Sequence, residues 1–516
     1  MPDHLMSAAI RAAYRSGQED EAMEPLVRFA ADRPVRRFRT GDRIIFYDLR
    51  GEREVELTAS FVEPTFAHFP IEPGLRVGFA TMIEYHPDLP VRVAFPPLEK
   101  LSGTLGEAVS RAGRSQVRVS ETEKAIHAGF FLNGKRVEPF PGETRVTARS
   151  PKNPLAEPEM RAAEVADRVL EALADAGPAL VIVNFANVDV VGHSEDRAAI
   201  IRAIEEVDRQ LGRVLAGARE HGVTAIVTAD HGTVESWLYP EGTIDTGHTR
   251  SPVPFLLVGG PRGLTLAQGG SLVDVAPTVL ACLGIPAPPE MTGRCLFSGP
   301  GPRPARVVLV IVDGWGLAPA GPGNLFSQAR MPNFDRLRAE HPHTELQASG
   351  AAVGLPEKTV GNSEAGHLHI GAGRVVPADR VRIDAAIADG SYFENGAFAW
   401  AMDEARANGA TLHLLGIVSF FSSHGSIDHL FALLEMARRR GVEDVAIHAL
   451  LGRRGERPES GARYVEAVED AAERVGVGQV VSVIGRHWAL DREHHWDRIE
   501  KTYRMLVHGE GTAVRD

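Results

Sequence analysis

Arg306-Val-Val-Leu-Val-Ile-Val-Asp313 is a run of branched apolar residues that stops at a carboxylate. Two other stretches have the same form, Ala179-Leu-Val-Ile-Val-Asn-Phe-Ala-Asn-Val-Asp189 and Thr224-Ala-Ile-Val-Thr-Ala-Asp-His231. Unbroken apolar runs of this length predict strands covered on both faces, as in a parallel sheet. The segments between them, Glu164–Leu173 and Ala198–Arg219, repeat their apolar residues at helical spacing. The fold class that follows is α/β. In such sheets ligands gather at the carboxyl ends of strands, where Asp189, Asp230, His231 and Asp313 are all expected.

Outward from these strands, residues 381–516 form a second helix-and-strand region, with helices predicted at Leu430–Arg440 and Ala462–Val475. Its partner is the N-terminal stretch that carries the strand Arg43–Tyr47. Between Leu296 and Val307 lies Phe-Ser-Gly-Pro-Gly-Pro-Arg-Pro-Ala-Arg, which continues neither element and reads as a joint. The whole chain has 516 residues, 44% hydrophobic and 24% charged, enough for two or three cored domains. A net charge of −12 excludes a chain-wide footprint for nucleic acid, so any anion site has to be built locally from Arg and Lys. Two cysteines, Cys282 and Cys295, are too few for a disulfide framework and favour a reducing compartment. The first twenty residues lack the apolar core of a secretory signal, and no apolar run approaches the roughly 20 residues of a membrane helix. The expectation is a cytoplasmic protein with no membrane or nucleic-acid partner.

Asp189-Val-Val-Gly-His193 sets a carboxylate and an imidazole four apart, Asp230-His231 is an adjacent pair, and His248 follows in Asp-Thr-Gly-His-Thr. Asp313 and Ser363, the latter from Gly-Asn-Ser-Glu-Ala-Gly-His367, complete seven candidate ligands. Mixed Asp and His ligation suits manganese or zinc, and seven ligands suffice for two ions holding the attacking and leaving oxygens of a phosphoryl transfer. A metal-bound Ser hydroxyl becomes a nucleophile. Taken singly, each Asp or His reads more readily as a loop cap or a surface side chain than as a ligand, but three buried strands ending this way by coincidence is the weaker account.

These stretches resemble the cofactor-independent (2,3-bisphosphoglycerate-independent) phosphoglycerate mutases of the alkaline phosphatase superfamily. The resemblance is carried by Val-Asp-Gly-Trp-Gly316, Met-Pro-Asn-Phe-Asp-Arg-Leu337, the run from Gly354 through Gly-Asn-Ser-Glu-Ala-Gly-His-Leu-His-Ile-Gly-Ala-Gly-Arg374, Thr-Ala-Asp-His-Gly232 and Glu-Met-Thr-Gly293. In that family the Asp-Gly-Trp-Gly strand opens the chain, so its place at residue 313 resembles a circular permutation with the old ends joined through 299–304. The implied organisation is a contiguous phosphatase-like domain at 88–378 and a transferase-like α/β domain assembled from 1–87 and 379–516. Carried over residue by residue, one ion falls to Asp189, His193 and His248, and the other to Asp230, His231, Asp313 and the nucleophile Ser363. Substrate anions are implied to meet Arg50, Arg53, Lys124, Arg486 and Arg492, and His424 matches the family's substrate-domain histidine, so that Ser363, Lys124 and His424 make up the catalytic set. The implied cofactors are two divalent ions, manganese first and zinc second. The implied activity is interconversion of 3- and 2-phosphoglycerate through a phosphoserine, in a monomer.

Two stretches depart from the family pattern. Ser419-Phe-Phe-Ser-Ser-His424 stands where the family has Ser-Asp-Gly-Gly-Val-His, and Leu451-Gly-Arg-Arg-Gly455 where it has Leu-Asp-Gly-Arg-Asp. Gly455 lacks the carboxylate that the resemblance assigns to the glycerate hydroxyls, and Phe420 and Phe421 make the wall more apolar. These changes predict weak mutase turnover and leave a second reading open, hydrolysis or transfer of a different phosphoryl or phosphonyl ester on a small carboxylic acid. A noncatalytic binding relative is the third reading, disfavoured because all seven ligands are present.

Overall fold

The three apolar runs form strands Leu180–Phe185, Thr224–Thr228 and Val307–Val312, every residue of which is buried. Val307–Val312 lies between the other two in parallel register, Val307 facing both Leu180 and Thr224. The structure is a computed structural model that describes residues 4–515 other than 99, 176, 240, 262, 299–305, 421–423 and 453–458. The expected joint at 299–304, together with Phe421 and Gly455, lies outside the described residues. The chain divides into two units, Leu98–Val381 and a second made of Met1–Pro97 with Arg382–Asp516.

In the contiguous unit, five neighbouring strands are parallel, in the order Glu143–Ala148, Gln116–Glu121, Leu180–Phe185, Val307–Val312, Thr224–Thr228. Val253–Val258 runs antiparallel between Thr224–Thr228 and His343–Gln347, and Gly270–Ser271 forms the far edge. The two helices expected between the first strands are Ala162–Ala174 and Arg197–Glu220, which pack on each other. The second is capped by Asp196, whose side chain accepts the Ala199 N–H, and it buries Ile200, Ile204, Val207, Leu211 and Val214 at three- and four-residue spacing. Each such side chain contributes roughly 1.5–3 kcal/mol when fully buried, so this stripe holds the helix to the sheet.

The second unit interleaves both ends of the chain in one sheet, in the order Thr512–Arg515, Leu26–Ala30, Gln479–Gly485, Val445–Leu451, Leu412–Ile417, Arg43–Phe46, Gly78–Ile83, Arg92–Phe95. Arg33–Pro34 pairs on the side with Leu26–Ala30. The six strands from Gln479–Gly485 to Arg92–Phe95 are parallel, and Leu26–Ala30 is antiparallel to Gln479–Gly485. The sequence places the boundaries at 87/88 and 378/379, whereas the units divide at 97/98 and 381/382. The reason is that Arg92–Phe95 is hydrogen-bonded into this sheet beside Gly78–Ile83, and Arg382 donates to the Pro96 carbonyl at 3.1 Å. The predicted helices appear as Ile427–Arg439 and Gly461–Val475. Both cysteines are free thiols, and burial pushes the Cys282 thiol up to about 12. No helix among the described residues is long and apolar enough to cross a membrane.

Candidate metal centre

The carboxyl ends of the three central strands converge. Asp313 directly follows Val312, and Asp230-His231 lie just beyond Thr228. Asp189 departs from its expected place at a strand end. Its strand stops at Phe185, and Asp189 sits in the one-turn helix Asn187–Gly192 that follows. Residues four apart share a helix face, which brings His193 Nε2 to 3.4 Å from Asp189 Oδ1. Two glycines permit the close approach. Gly314 turns the chain away at φ +78°, where a Cβ would lie 3.0 Å from the Asp189 backbone, and Gly366 lets helix Ser363–Ala372 rest on Asp230, where a Cβ would lie 2.5 Å from the Asp230 carbonyl oxygen.

Three imidazoles are oriented alike. His193 Nδ1 lies 2.8 Å from the Thr246 carbonyl, His248 Nδ1 2.9 Å from that of Gly361, and His231 Nδ1 3.1 Å from that of Gly232. A carbonyl only accepts, so each Nδ1 carries a proton, and in the neutral ring each Nε2 presents a lone pair. The Nε2 atoms of His193 and His248 are 3.1 Å apart, and that of His248 is 3.1 Å from Asp189 Oδ1. Electron-pair donors aimed at one point repel one another, and a divalent cation resolves the repulsion; imidazoles held through their far nitrogen are the usual form of such ligands. Beside this trio, His231 Nε2 lies 3.6 Å from Asp189 Oδ1, 3.6 Å from Asp313 Oδ1 and 3.5 Å from Asp230 Oδ2. Among the described residues, Asp189 Oδ1 and Asp230 Oδ2 are buried and accept no hydrogen bond. The donor set therefore fits divalent metal on its own chemistry.

Ser363 opens its helix behind Asn362, whose side chain accepts the Ala365 N–H at 2.9 Å. Ser363 Oγ lies 3.0 Å from His231 Nε2 and 3.4 Å from Asp313 Oδ1. Lys124 donates to Ser363 Oγ at 2.6 Å, to Asp189 Oδ2 at 2.6 Å and to Asp313 Oδ1 at 2.7 Å. Burial works against its charge, but Asp313, Asp189 and Asp230 together hold the ammonium pKa above its ordinary value. Three buried carboxylates thus face one buried ammonium. The surplus negative charge shows at Asp313, raised by burial and then by Asp230. All seven candidate ligands and Lys124 come together in this unit. The sequence missed Asn184 and left His367 without a role. Asn184 Nδ2 donates to Asp313 Oδ2 at 2.7 Å and lies 3.0 Å from His367 Nε2, while His367 Nδ1 lies 2.9 Å from the Ser363 carbonyl and 3.3 Å from Asp230 Oδ2. A polar residue inside an otherwise apolar buried strand, and a histidine one helical turn beyond Ser363, were the available signals.

The remaining candidates gather in the other unit. Arg50 and Arg492 share Glu52 Oε1 at 2.7 and 2.9 Å, Arg486 meets Glu21 Oε1 at 2.8 Å, and Arg53 donates to the Leu490 carbonyl at 3.1 Å. Burial and then the neighbouring Arg492, Arg486 and Arg50 lower the Arg53 pKa, as expected of clustered cations. A cavity of about 190 Å3 is lined by Arg53, Arg486 and Arg498 with Glu21 and Asp491. His424 is buried, its Nδ1 3.1 Å from Glu54 Oε1. Phe420 is half-exposed and packs edge-on against Tyr464.

A family model described as Metalloenzyme superfamily matches residues 44–287. Another, described as BPG-independent PGAM N-terminus, matches residues 383–516. A protein of Moorella thermoacetica named 2,3-bisphosphoglycerate-independent phosphoglycerate mutase is 51% identical over 205 residues, 40% of each chain. One of Pseudomonas aeruginosa with the same name is 41% identical over 295 residues, 56% of this chain and 57% of that one. A solved phosphoglycerate mutase of Leishmania mexicana is 26% identical and aligns over 53% of each chain with a TM-score of 0.39. The chain spans roughly half the length of the curated relatives it matches. By sequence, the chain is similar to the 2,3-bisphosphoglycerate-independent phosphoglycerate mutases, matching the Metalloenzyme superfamily model over 44–287 and the model of the BPG-independent PGAM N-terminus over 383–516.

Proposed function

We propose that the chain is a metal-dependent phosphotransferase of the isomerase type, interconverting 3- and 2-phosphoglycerate through a phosphoserine at Ser363. The observation that carries this reading is the convergence of Asp189, Asp230 and Asp313 with three imidazoles whose Nε2 atoms all face inward. One ion would be held by Asp189, His193 and His248, the other by Asp230, His231, Asp313 and Ser363, with manganese ahead of zinc. Bound there, the ions would lower the pKa of the Ser363 hydroxyl and offset phosphoryl charge. Lys124 donates a charged hydrogen bond to Ser363 Oγ, which favours its alkoxide. The first-turn N–H groups of helix Ser363–Ala372 favour a phosphate ester on its opening residue. Arg50, Arg53, Arg486 and Arg492 supply the planar donors that suit the carboxylate and phosphate of a small acid.

The match of a segment described as an N-terminus to residues 383–516 supports the circularly permuted order, with 88–378 as the phosphatase-like part. A monomer in the cytoplasm completes the proposal. Among the described residues nothing favours a phosphonyl or other ester over phosphoglycerate. The test is a direct assay of manganese-loaded protein against both phosphoglycerates and a panel of phosphorylated and phosphonylated acids, with peptide mass spectrometry of the trapped intermediate. Formation of 2-phosphoglycerate from 3-phosphoglycerate with the label on Ser363 is expected. Turnover confined to another ester, or a label on another residue, overturns the proposal.

A further inference from the structure

In the unit built from both chain ends, Asp48, Glu54 and His424 are buried together beside the arginine cluster, at 0%, 0% and 3% exposure. Glu54 Oε1 lies 3.1 Å from His424 Nδ1, and its Oε2 accepts the Arg53 N–H at 3.2 Å. Asp48 Oδ1 accepts the Ile417 N–H at 2.7 Å. Two carboxyl groups packed together out of water cannot both ionise readily, so the pair retains a proton. Burial first, then Glu54, holds the Asp48 pKa well above the ordinary range. Burial, partly offset by backbone N–H groups and by Arg50 and Arg53, pushes Glu54 up to about 8. The imidazole is driven the opposite way, down to about 3, by burial and then by Arg486, Arg50 and Arg53, with Glu52 acting weakly against them. The phenols of Tyr47 and Tyr85, raised by burial and Asp48, stay protonated alongside. At neutral pH the exchangeable proton therefore resides on the carboxyl side of the Glu54–His424 contact.

We propose that Glu54 and His424 form a proton-transfer dyad serving the substrate oxygen, with Glu54 a positioning residue that stores the proton and acts through the imidazole. The proposal rests on the phosphotransfer reading given above. As the substrate P–O bond breaks and a new P–O bond forms to the attacking oxygen, the leaving alkoxide takes the proton on His424 Nε2. Nδ1 takes the proton from Glu54 Oε1, which becomes a carboxylate. Return of the phosphoryl group to the other hydroxyl reverses both transfers, so the ring is neutral before and after each.

The test is a pH series of long-range nitrogen–proton NMR on the full-length chain with 15N-labelled histidine, His424 being assigned with His424→Gln. In the unsubstituted chain His424 is expected as the Nε2–H tautomer at about pH 6.5, converting to Nδ1–H as Glu54 ionises with a midpoint of about 8. In Glu54→Gln the Nε2–H form should persist throughout. An Nδ1–H ring at the lower pH, a ring that becomes cationic near its ordinary pKa, or no response to Glu54→Gln overturns the dyad. This measurement needs no turnover and decides the dyad even where the phosphotransfer reading fails. With 3-phosphoglycerate, Glu54→Gln should lower kcat by about 100-fold, leave KM within a few-fold and remove the pH limb near that midpoint. Turnover within about twofold of the unsubstituted enzyme also overturns the proposal.

Discussion

Replacing Lys124 by Met tests whether the metal centre is balanced by charge or by packing. The methionine side chain keeps most of the volume and removes the ammonium that lies 2.6 to 2.7 Å from Asp189, Asp313 and Ser363. Three buried carboxylates are then left without their cation, and breaking a buried ion pair from one side costs about 3–5 kcal/mol. For a unit of this size that corresponds to a fall in Tm of roughly 6–20 °C in metal-free protein. Saturating manganese supplies the missing positive charge, so it should raise the Tm of Lys124→Met by more than that of the unsubstituted chain. The same cycle requires the folded variant to bind metal more tightly, by a factor of about 100 or more. Differential scanning calorimetry with and without metal, and isothermal titration at fixed pH, read the two effects separately. A variant as stable as the parent without metal, or equal manganese increments in both proteins, would show that the carboxylates are neutralised by protonation and refute the charge argument.

Three other outcomes follow from described geometry. His248→Ala removes an inward-facing Nε2 and should lower metal stoichiometry, read by elemental analysis after gel filtration, and phosphoryl transfer by orders of magnitude; unchanged metal content would count against the ligand assignment. Gly366→Ala gains helix propensity but drives a Cβ to 2.5 Å from the Asp230 carbonyl oxygen, so a net loss of about 1–3 kcal/mol in urea unfolding is expected, whereas a gain would mean the helix can slide. The third concerns a buried chain in the other unit, Asp42–His413–His448–Ser482, with contacts of 3.1, 2.9 and 2.7 Å. Burial and then His413 hold the His448 pKa well below its ordinary value. The folded chain keeps this ring neutral while the unfolded chain protonates it, so its contribution is complete above about pH 6.5 and falls by about 1.4 kcal/mol per unit as pH drops below that value. The stability advantage of the unsubstituted chain over His448→Asn should shrink accordingly between about pH 6.5 and 5, and an advantage independent of pH refutes it.

The central strands are legible because burial on both faces writes itself as unbroken apolar runs, and their carboxyl ends carry residues that only chemistry explains. Asp189 shows the limit of that reading. The apolar pattern continues through Val188, so the sequence does not reveal that a helical turn has replaced the strand after Phe185. Asn184 looks like a flaw in a strand until the fold brings Asp313 and His367 to it. In the other unit the long helices are periodic and readable, but Gly78–Ile83, Arg92–Phe95 and Thr512–Arg515 are short strands whose places depend on partners far away in sequence. Glu54 and His424 belong to the same class. Nothing local to either predicts the contact, which exists because Arg43–Phe46 pairs with Leu412–Ile417.

That pairing sets a timetable for synthesis. Arg43 emerges from the ribosome long before Leu412, its neighbour in the sheet, and at about 5–20 residues per second the interval is roughly 20–75 seconds. Throughout it, the edge of Arg43–Phe46 that will receive Leu412–Ile417 has no strand to bond, while the contiguous unit at 98–381 can complete its own core as it is made. A nascent chain therefore carries a finished body downstream of an open β edge, the feature that recruits chaperones or other chains. Slowed elongation should harm this arrangement of segments more than one in which both parts of the interleaved sheet are translated together.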